Sequence, residues 1–232
     1  MNNAPSEWEL IGSSTRYGRY ASEIEKKAVL KANALIKEPT IALDIGCEGG
    51  RWSKLLADTG WDLICTDIDQ NSLALCQKRI PTAICKLVVP EDLTLPCAAE
   101  SVKLALCVEV PQVIGAEWFI DEAFRVLEKG GLIAGVFWNR SSWRGLLYHS
   151  VPALRVKGSG QWYWFPQPYA VWRKQLCARG FTMLNEEGYG WPPFRRNSDS
   201  PIVPIATHIE HLLGLRKLAR LSPLVTFIAQ KV

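Results

Sequence analysis

The sequence lacks any apolar run approaching the roughly 18 residues that a membrane-spanning helix needs. Its start, Met1 to Glu9, lacks a basic segment followed by an apolar stretch, so no secretory signal is expected and the cytoplasm is the default compartment. Charge of one sign is also scarce. The 27 Lys and Arg against 23 Asp and Glu leave only +4, and basic residues gather in no more than dipeptides such as Arg195-Arg196 and Arg216-Lys217. No nucleic-acid partner is expected from that balance. No C-x-x-C pair occurs among Cys47, Cys65, Cys76, Cys85, Cys97, Cys107 and Cys177, and their number is odd. Several lie in apolar stretches such as Leu63-Ile64-Cys65, the pattern of reduced, buried thiols. Histidine is limited to His149, His208 and His211. The last two could share a helix face, but no third ligand is in evident reach, so no metal is expected.

What is present is an alternation of short apolar runs with helical patterns, the signature of a sheet built from βα units within a single domain over 1–232. Strands are expected at Ile41 to Ile45, Asp62 to Thr66, Ala83 to Val88, Val102 to Val108, Leu132 to Trp138, Phe181 to Glu186 and Leu224 to Gln230. A first helix over Arg19 to Ile36 forms the core of an N-terminal cap (1–38), and it must stop before Pro39. Between the strands, one helix carries Trp52, Leu55 and Leu56, another Leu73, Cys76 and Ile80, and a third runs from Ala116 to Glu128 and halts at Gly130-Gly131. Helices at Tyr169 to Arg179 and Ala206 to Ala219 complete the pattern. An irregular, aromatic-rich insertion over 139–180 interrupts the rhythm, and Trp191 to Pro204 reads as a surface loop.

In open α/β sheets ligands sit beyond the carboxyl ends of the strands. The turn after the first strand, Asp44-Ile45-Gly46-Cys47-Glu48-Gly49-Gly50, has three glycines that allow positive φ and close approach of a ligand. A dinucleotide loop would need glycine at positions 46, 48 and 51, and two of these are Glu48 and Arg51. A glutamate there also repels pyrophosphate, and no Gly-Lys-Ser/Thr follows to make a P-loop.

The stretch Leu43 to Ser53 resembles motif I of class I S-adenosylmethionine (SAM)-dependent methyltransferases. Asp44, Gly46 and Gly50 match its D-x-G-x-G-x-G form, and Glu48 departs at the middle glycine. The resemblance runs from about Tyr17 to the last strand. It implies a Rossmann-like seven-stranded sheet, mostly parallel with an antiparallel last strand, helices on both faces, and SAM as cofactor. Carried over residue by residue, Asp44, Gly46, Cys47, Glu48 and Gly50 form the cofactor turn. Asp67, followed by Ile68, would hold the ribose hydroxyls, with Asp69 capping the next helix. Glu91 or Asp92 would take the adenine amino group, and the Cys107 carbonyl would meet the methionine ammonium. Pro111-Gln112-Val113 stands where family members often carry Leu-x-His.

Methyl transfer demands alignment and exclusion of water more than acid/base chemistry, because SAM itself carries the activated group. Substrate-side candidates are Tyr17 and Tyr20 as a lid, with Trp138 and Trp143. Trp162, Trp164, Trp172, Trp191, Tyr148, Tyr163 and Tyr169 serve either a pocket or packing. His149 is either a general base or a surface histidine. The expected reaction methylates an O, N or C nucleophile of a small molecule, apolar or aromatic. The alternatives are an RNA- or protein-directed methyltransferase, whose nucleobase amino-methylating type is opposed by the absence of a basic tail, a recognition domain or an Asn/Asp-Pro-Pro-Tyr/Phe motif after the fourth strand, and a non-catalytic SAM-fold ligand-binding protein, which Glu48 and the missing histidine would suit. Oligomeric state has no signal here. Replacing Asp67 by Ala is expected to weaken SAM binding by roughly tenfold or more, the scale of a lost charge-assisted hydrogen-bond pair, with the fold intact. Titration calorimetry giving an unchanged affinity would overturn the ribose assignment.

Overall fold

The computed structural model describes residues 7–151 and 164–232. The apolar runs form β1 (Ile41–Ile45), β2 (Asp62–Asp67), β3 (Ile84–Leu87), β4 (Val102–Cys107), β5 (Leu127–Trp138), β6 (Phe181–Tyr189) and β7 (Leu224–Lys231). They lie in the order β3-β2-β1-β4-β5-β7-β6. The first five are parallel, and β7 runs antiparallel to both β5 and β6. This is the expected sheet.

Because successive strand residues face opposite sides, each strand feeds two cores. Ala42 joins a cluster with Ala21, Ile24 and Val29 of α2 (Arg16–Leu35), Trp52 and Leu56 of α3 (Arg51–Ala57), and Leu73 of α4 (Gln70–Arg79). Its neighbour Leu43 joins the opposite cluster, with Phe119 and Ala123 of α6 (Phe119–Val126) and Tyr169 and Trp172 of α8 (Tyr169–Arg179). Strands buried on both faces need near-continuous apolar sequence, which is why β1 and β4 are apolar but for Asp44 and Lys103. Chain order reverses between β1 and β4, so the crevice at their carboxyl ends is the switch point where a ligand belongs.

The structure differs from the sequence reading in places. A short α1 (Glu7–Ser14) precedes α2, which begins at Arg16 because the Thr15 side chain accepts the Gly18 N–H as its N-cap. The expected helix from Ala116 ends at Val126, after a separate turn α5 (Pro111–Ile114). Gly130-Gly131 therefore sits within β5 and not at a helix end. Val102 pairs with Leu127 and Leu104 with Leu132, so an irregularity holds left-handed Gly130 inside the strand. The insertion after Asn139 contains α7 (Trp143–Ser150), capped by Ser142 Oγ accepting from the Gly145 N–H. The expected last helix is α9 (Val203–Leu212), broken at left-handed Gly214 before a 3-10 turn at Leu215–Lys217. Trp162 and Tyr163 lie outside the described residues. Among those residues, no helix is long and apolar enough to cross a membrane.

Much of the aromatic content is packing. Trp172 is fully buried, with ring centroids 4.8 Å from Phe137 and 4.7 Å from Phe227, and stacked on Tyr169 at 5.9 Å. Its Nε1 has no hydrogen-bond partner among the described residues. Trp172→Ala is expected to destabilise by about 3–5 kcal/mol, the range for large buried aromatics. Trp172→Phe should cost markedly less, since no hydrogen bond is lost. Urea unfolding midpoints compare the two.

Candidate active site

The turn after β1 is held open by three left-handed residues, Gly46 (φ 67°), Glu48 (φ 49°) and Gly50 (φ 74°). Gly49 is not among them, so Glu48 itself adopts a conformation that disfavours a side chain. Two bonds hold it there. The Cys47 N–H donates to the Thr66 carbonyl at 2.9 Å, and the Glu48 N–H donates to Asp67 Oδ2 at 2.8 Å. Space is also limiting, because a Cβ on Gly46 would lie 2.5 Å from Val110 Cγ2, and one on Gly50 would lie 2.6 Å from Cys76 Sγ. Asp44 is buried and accepts from Ser53 Oγ, tying β1 to α3. Burial, with the Cys65 thiol nearby, pushes its pKa up to about 7.

Asp67 ends β2 with its carboxylate against the turn, Oδ1 accepting from the Asp69 N–H at 3.0 Å. Each oxygen keeps a further lone pair, and the residue is half-buried. Beside it Ile68 is 46% exposed. Asp69 caps α4 through the Asn71 and Ser72 N–H groups. Glu91 and Asp92 are exposed, and Asp92 Oδ2 accepts from the Val89 N–H, closing a short turn. The Cys107 carbonyl is packed against Gly135, its partner across β4 and β5.

Beyond β4 lies a buried ionic cluster that the sequence reading did not assign. Glu109, left-handed at φ 64°, places Oε2 3.1 Å from Arg196 Nη1. Arg196 Nη2 also donates to Glu25 Oε2 at 2.8 Å, and Arg51 Nη2 lies 3.4 Å from the same oxygen. Tyr189 Oη donates to Glu25 Oε1 at 3.0 Å and lies 3.4 Å from Glu109 Oε1. Burial raises the Glu109 pKa to about 7, against the pull of Arg196. Only Glu109 had a signal in sequence, as an acid just past the carboxyl end of a central strand. Glu25 reads as one polar residue of a helix, and Arg196 as half of a surface dipeptide.

The expected lid residues act as struts. Tyr17 is 3% exposed, its N–H donates to the Ser198 carbonyl, and its hydroxyl accepts from Arg144 Nη2 at 3.2 Å. Burial pushes its pKa up to about 12. Tyr20 donates to Glu210 Oε1 and accepts the Gly190 N–H. Trp138, at the end of β5, packs on Trp164 (4.6 Å) and Phe165 (5.2 Å), and its Nε1 has no hydrogen-bond partner among the described residues. Trp143 is 36% exposed beneath the Arg144 guanidinium. His149 Nε2 is 3.0 Å from the Phe165 carbonyl, which occupies that nitrogen with a backbone contact.

Strand order, switch point and turn define the class I SAM-dependent methyltransferase fold. Residues 43–135 match the methyltransferase domain family, and they span β1 through most of β5. No protein of curated function matches the sequence. Among solved structures, a Thermotoga maritima SAM-dependent methyltransferase described as a possible histamine N-methyltransferase is 18% identical, with TM-score 0.59 over 97% of this chain and 93% of that one. A chain from the complex between the Haloferax volcanii Trm112 methyltransferase activator and a putative methyltransferase is 12% identical, with TM-score 0.60 over 98% of each chain. The [4+2]-cyclase SpnF is 16% identical, with TM-score 0.60 over 97% of this chain and 86% of that one. The family match over these residues and the fold shared with SAM-dependent methyltransferases imply S-adenosylmethionine as the cofactor. The residues present suit that molecule. Asp67 retains acceptor capacity for two hydroxyls, and Ile68 offers an apolar face beside it.

The packing at Gly46 makes a two-step prediction. Gly46→Ala should weaken SAM binding by about tenfold or more, since Cβ meets Val110 and φ is left-handed. Adding Val110→Ala should recover part of that loss by removing the clash, leaving the backbone strain. Equal affinities for the single and double variants in calorimetry would show that Val110 is not what limits the turn.

Proposed function

We propose that the protein methylates an O, N or C nucleophile of a small molecule bound between the N-terminal cap and the carboxyl ends of β4 and β5. The observation that carries this reading is the closure of the crevice by Arg196. Through Glu25 and Glu109 it binds the 191–202 segment to both α2 and the end of β4. A macromolecular acceptor would need that cover opened, whereas a small acceptor would not. S-adenosylmethionine supplies the activated methyl group. Asp67 is assigned to the ribose, Ile68 and Glu91 or Asp92 to the adenine, and the Cys107 carbonyl to the methionine end. Trp138, with Trp164 and Phe165 beside it, favours an apolar or aromatic acceptor, for which its indole N–H is a donor. Incubating cell extract with methyl-labelled SAM tests the substrate class, since label in the low-mass fraction supports the proposal and label confined to RNA or protein overturns it.

Glu109 is the proposed proton acceptor, in preference to His149. Burial and the Glu25 carboxylate push its pKa up to about 7, while Arg196 and Arg51 pull it down and the Tyr189 hydroxyl lies alongside. A carboxyl accepts a proton only when ionised, so kcat/KM should rise with pH through about 7 and level off above it. Glu109→Gln should remove that step and lower the rate by roughly a hundredfold or more. An unchanged profile would exclude Glu109 from proton transfer.

A further inference from the structure

Three cysteines far apart in sequence meet beneath the cofactor turn, and a fourth stands on the neighbouring strand. Cys47 lies within the turn, Cys65 on β2 and Cys76 on α4, and their Sγ atoms all fall within 4.8 Å of one another with all three residues buried. Cys85 on β3 stands directly opposite Cys65 in the β2–β3 register. It is half-buried and lines a surface groove with Gln70, Leu73, Ala74, Gln77 and Leu87. The other cysteines, Cys97, Cys107 and Cys177, sit on other elements.

We propose that Cys47, Cys65 and Cys76, with Cys85 as the fourth ligand, form a tetrahedral thiolate site for a zinc ion. Zinc–sulfur bonds of about 2.3 Å set the sulfurs of a tetrahedral site about 3.8 Å apart, so the Cys47, Cys65 and Cys76 sulfurs need to draw in by no more than about 1 Å, with Cys85 turning in from β3 to complete the set. Cysteine side chains on four separate elements can do this by χ1 adjustment. On binding, each ligating thiol releases its proton to solvent as its sulfur bonds the metal, with no change of oxidation state. The groove at Cys85 is the entry path. The absence of C-x-x-C spacing does not oppose the site, because the sheet and α4 supply the proximity that short spacing supplies elsewhere.

The location gives the metal a consequence. Cys47 is a residue of the turn, and Cys76 Sγ occupies the space a Gly50 side chain would need. A zinc ion joining them to Cys65 would pin the turn in its left-handed form, raising SAM affinity. This coupling rests on reading the turn as the cofactor turn; the metal site itself does not.

The test uses the full chain, reduced and stripped of metal. Zinc alone should bind at one equivalent per chain and survive gel filtration. Cobalt(II) in its place should give the intense thiolate-to-metal absorption of a tetrahedral sulfur site. Cys65→Ala and Cys76→Ala should each lower zinc affinity by on the order of a hundredfold or more, while Cys97→Ala should leave it unchanged. If either core variant fails to fold, Cys85→Ala at the groove carries the same expectation. Failure of the reduced wild-type chain to retain zinc, or equal retention in the Cys65, Cys76 and Cys97 variants, overturns the site. So does mass spectrometry showing a disulfide among these cysteines in the protein as isolated from cells. Calorimetry of SAM with zinc-loaded and stripped protein separates the two claims: zinc bound with no SAM binding in either form would overturn the turn assignment and leave the metal site standing.

Discussion

The Glu25 carboxylate is wholly buried, and the site depends on how that charge is satisfied. An isolated carboxylate out of water is costly by several kcal/mol. Here α2 supplies the charge, and the Arg196 loop, the start of α3 and the end of β6 supply the groups that answer it. None of these segments can leave without stranding a buried charge, so cap, loop and sheet assemble together. The same arrangement turns Glu109 inward and gives the crevice two guanidiniums and two carboxylates in place of an open mouth.

The cofactor turn shows a second constraint. Its shape requires left-handed backbone at three positions, and one of them is a glutamate. The strain is held by the Asp67 carboxylate, which accepts the Glu48 N–H and still faces the crevice. Asp67 thus shapes the turn as well as being the assigned ribose ligand, and Asp44 serves chiefly to fasten β1 to α3 through Ser53. Methyl transfer asks mostly for alignment, and this network of short, buried contacts provides it. The fold itself does not specify an acceptor, as the likeness to a cyclase illustrates.

The strand positions along the chain, the turn and the acidic residue ending β2 were legible because they are local. A period of two or 3.6, a glycine in a turn or an acid at a strand end appears within a dozen residues of sequence. The roles of Tyr17 and Tyr20 were not, since a tyrosine on a helix looks the same whether it covers a ligand or braces a loop through Arg144 and Glu210. The Gly130-Gly131 pair misled for a related reason, because a glycine that ends a helix and one that kinks a strand have the same local sequence.

By itself, then, the sequence determined the order of elements along the chain and the glycine turn after β1, since these follow from backbone dihedrals and apolar periodicity, while the spatial strand order and its switch point came with the fold. Only the tertiary structure decided which side chains meet. Glu25 and Arg196 are 171 residues apart, and Cys47, Cys65, Cys76 and Cys85 occupy four elements. Their contacts arise from packing across the sheet, a property that no spacing along the chain encodes.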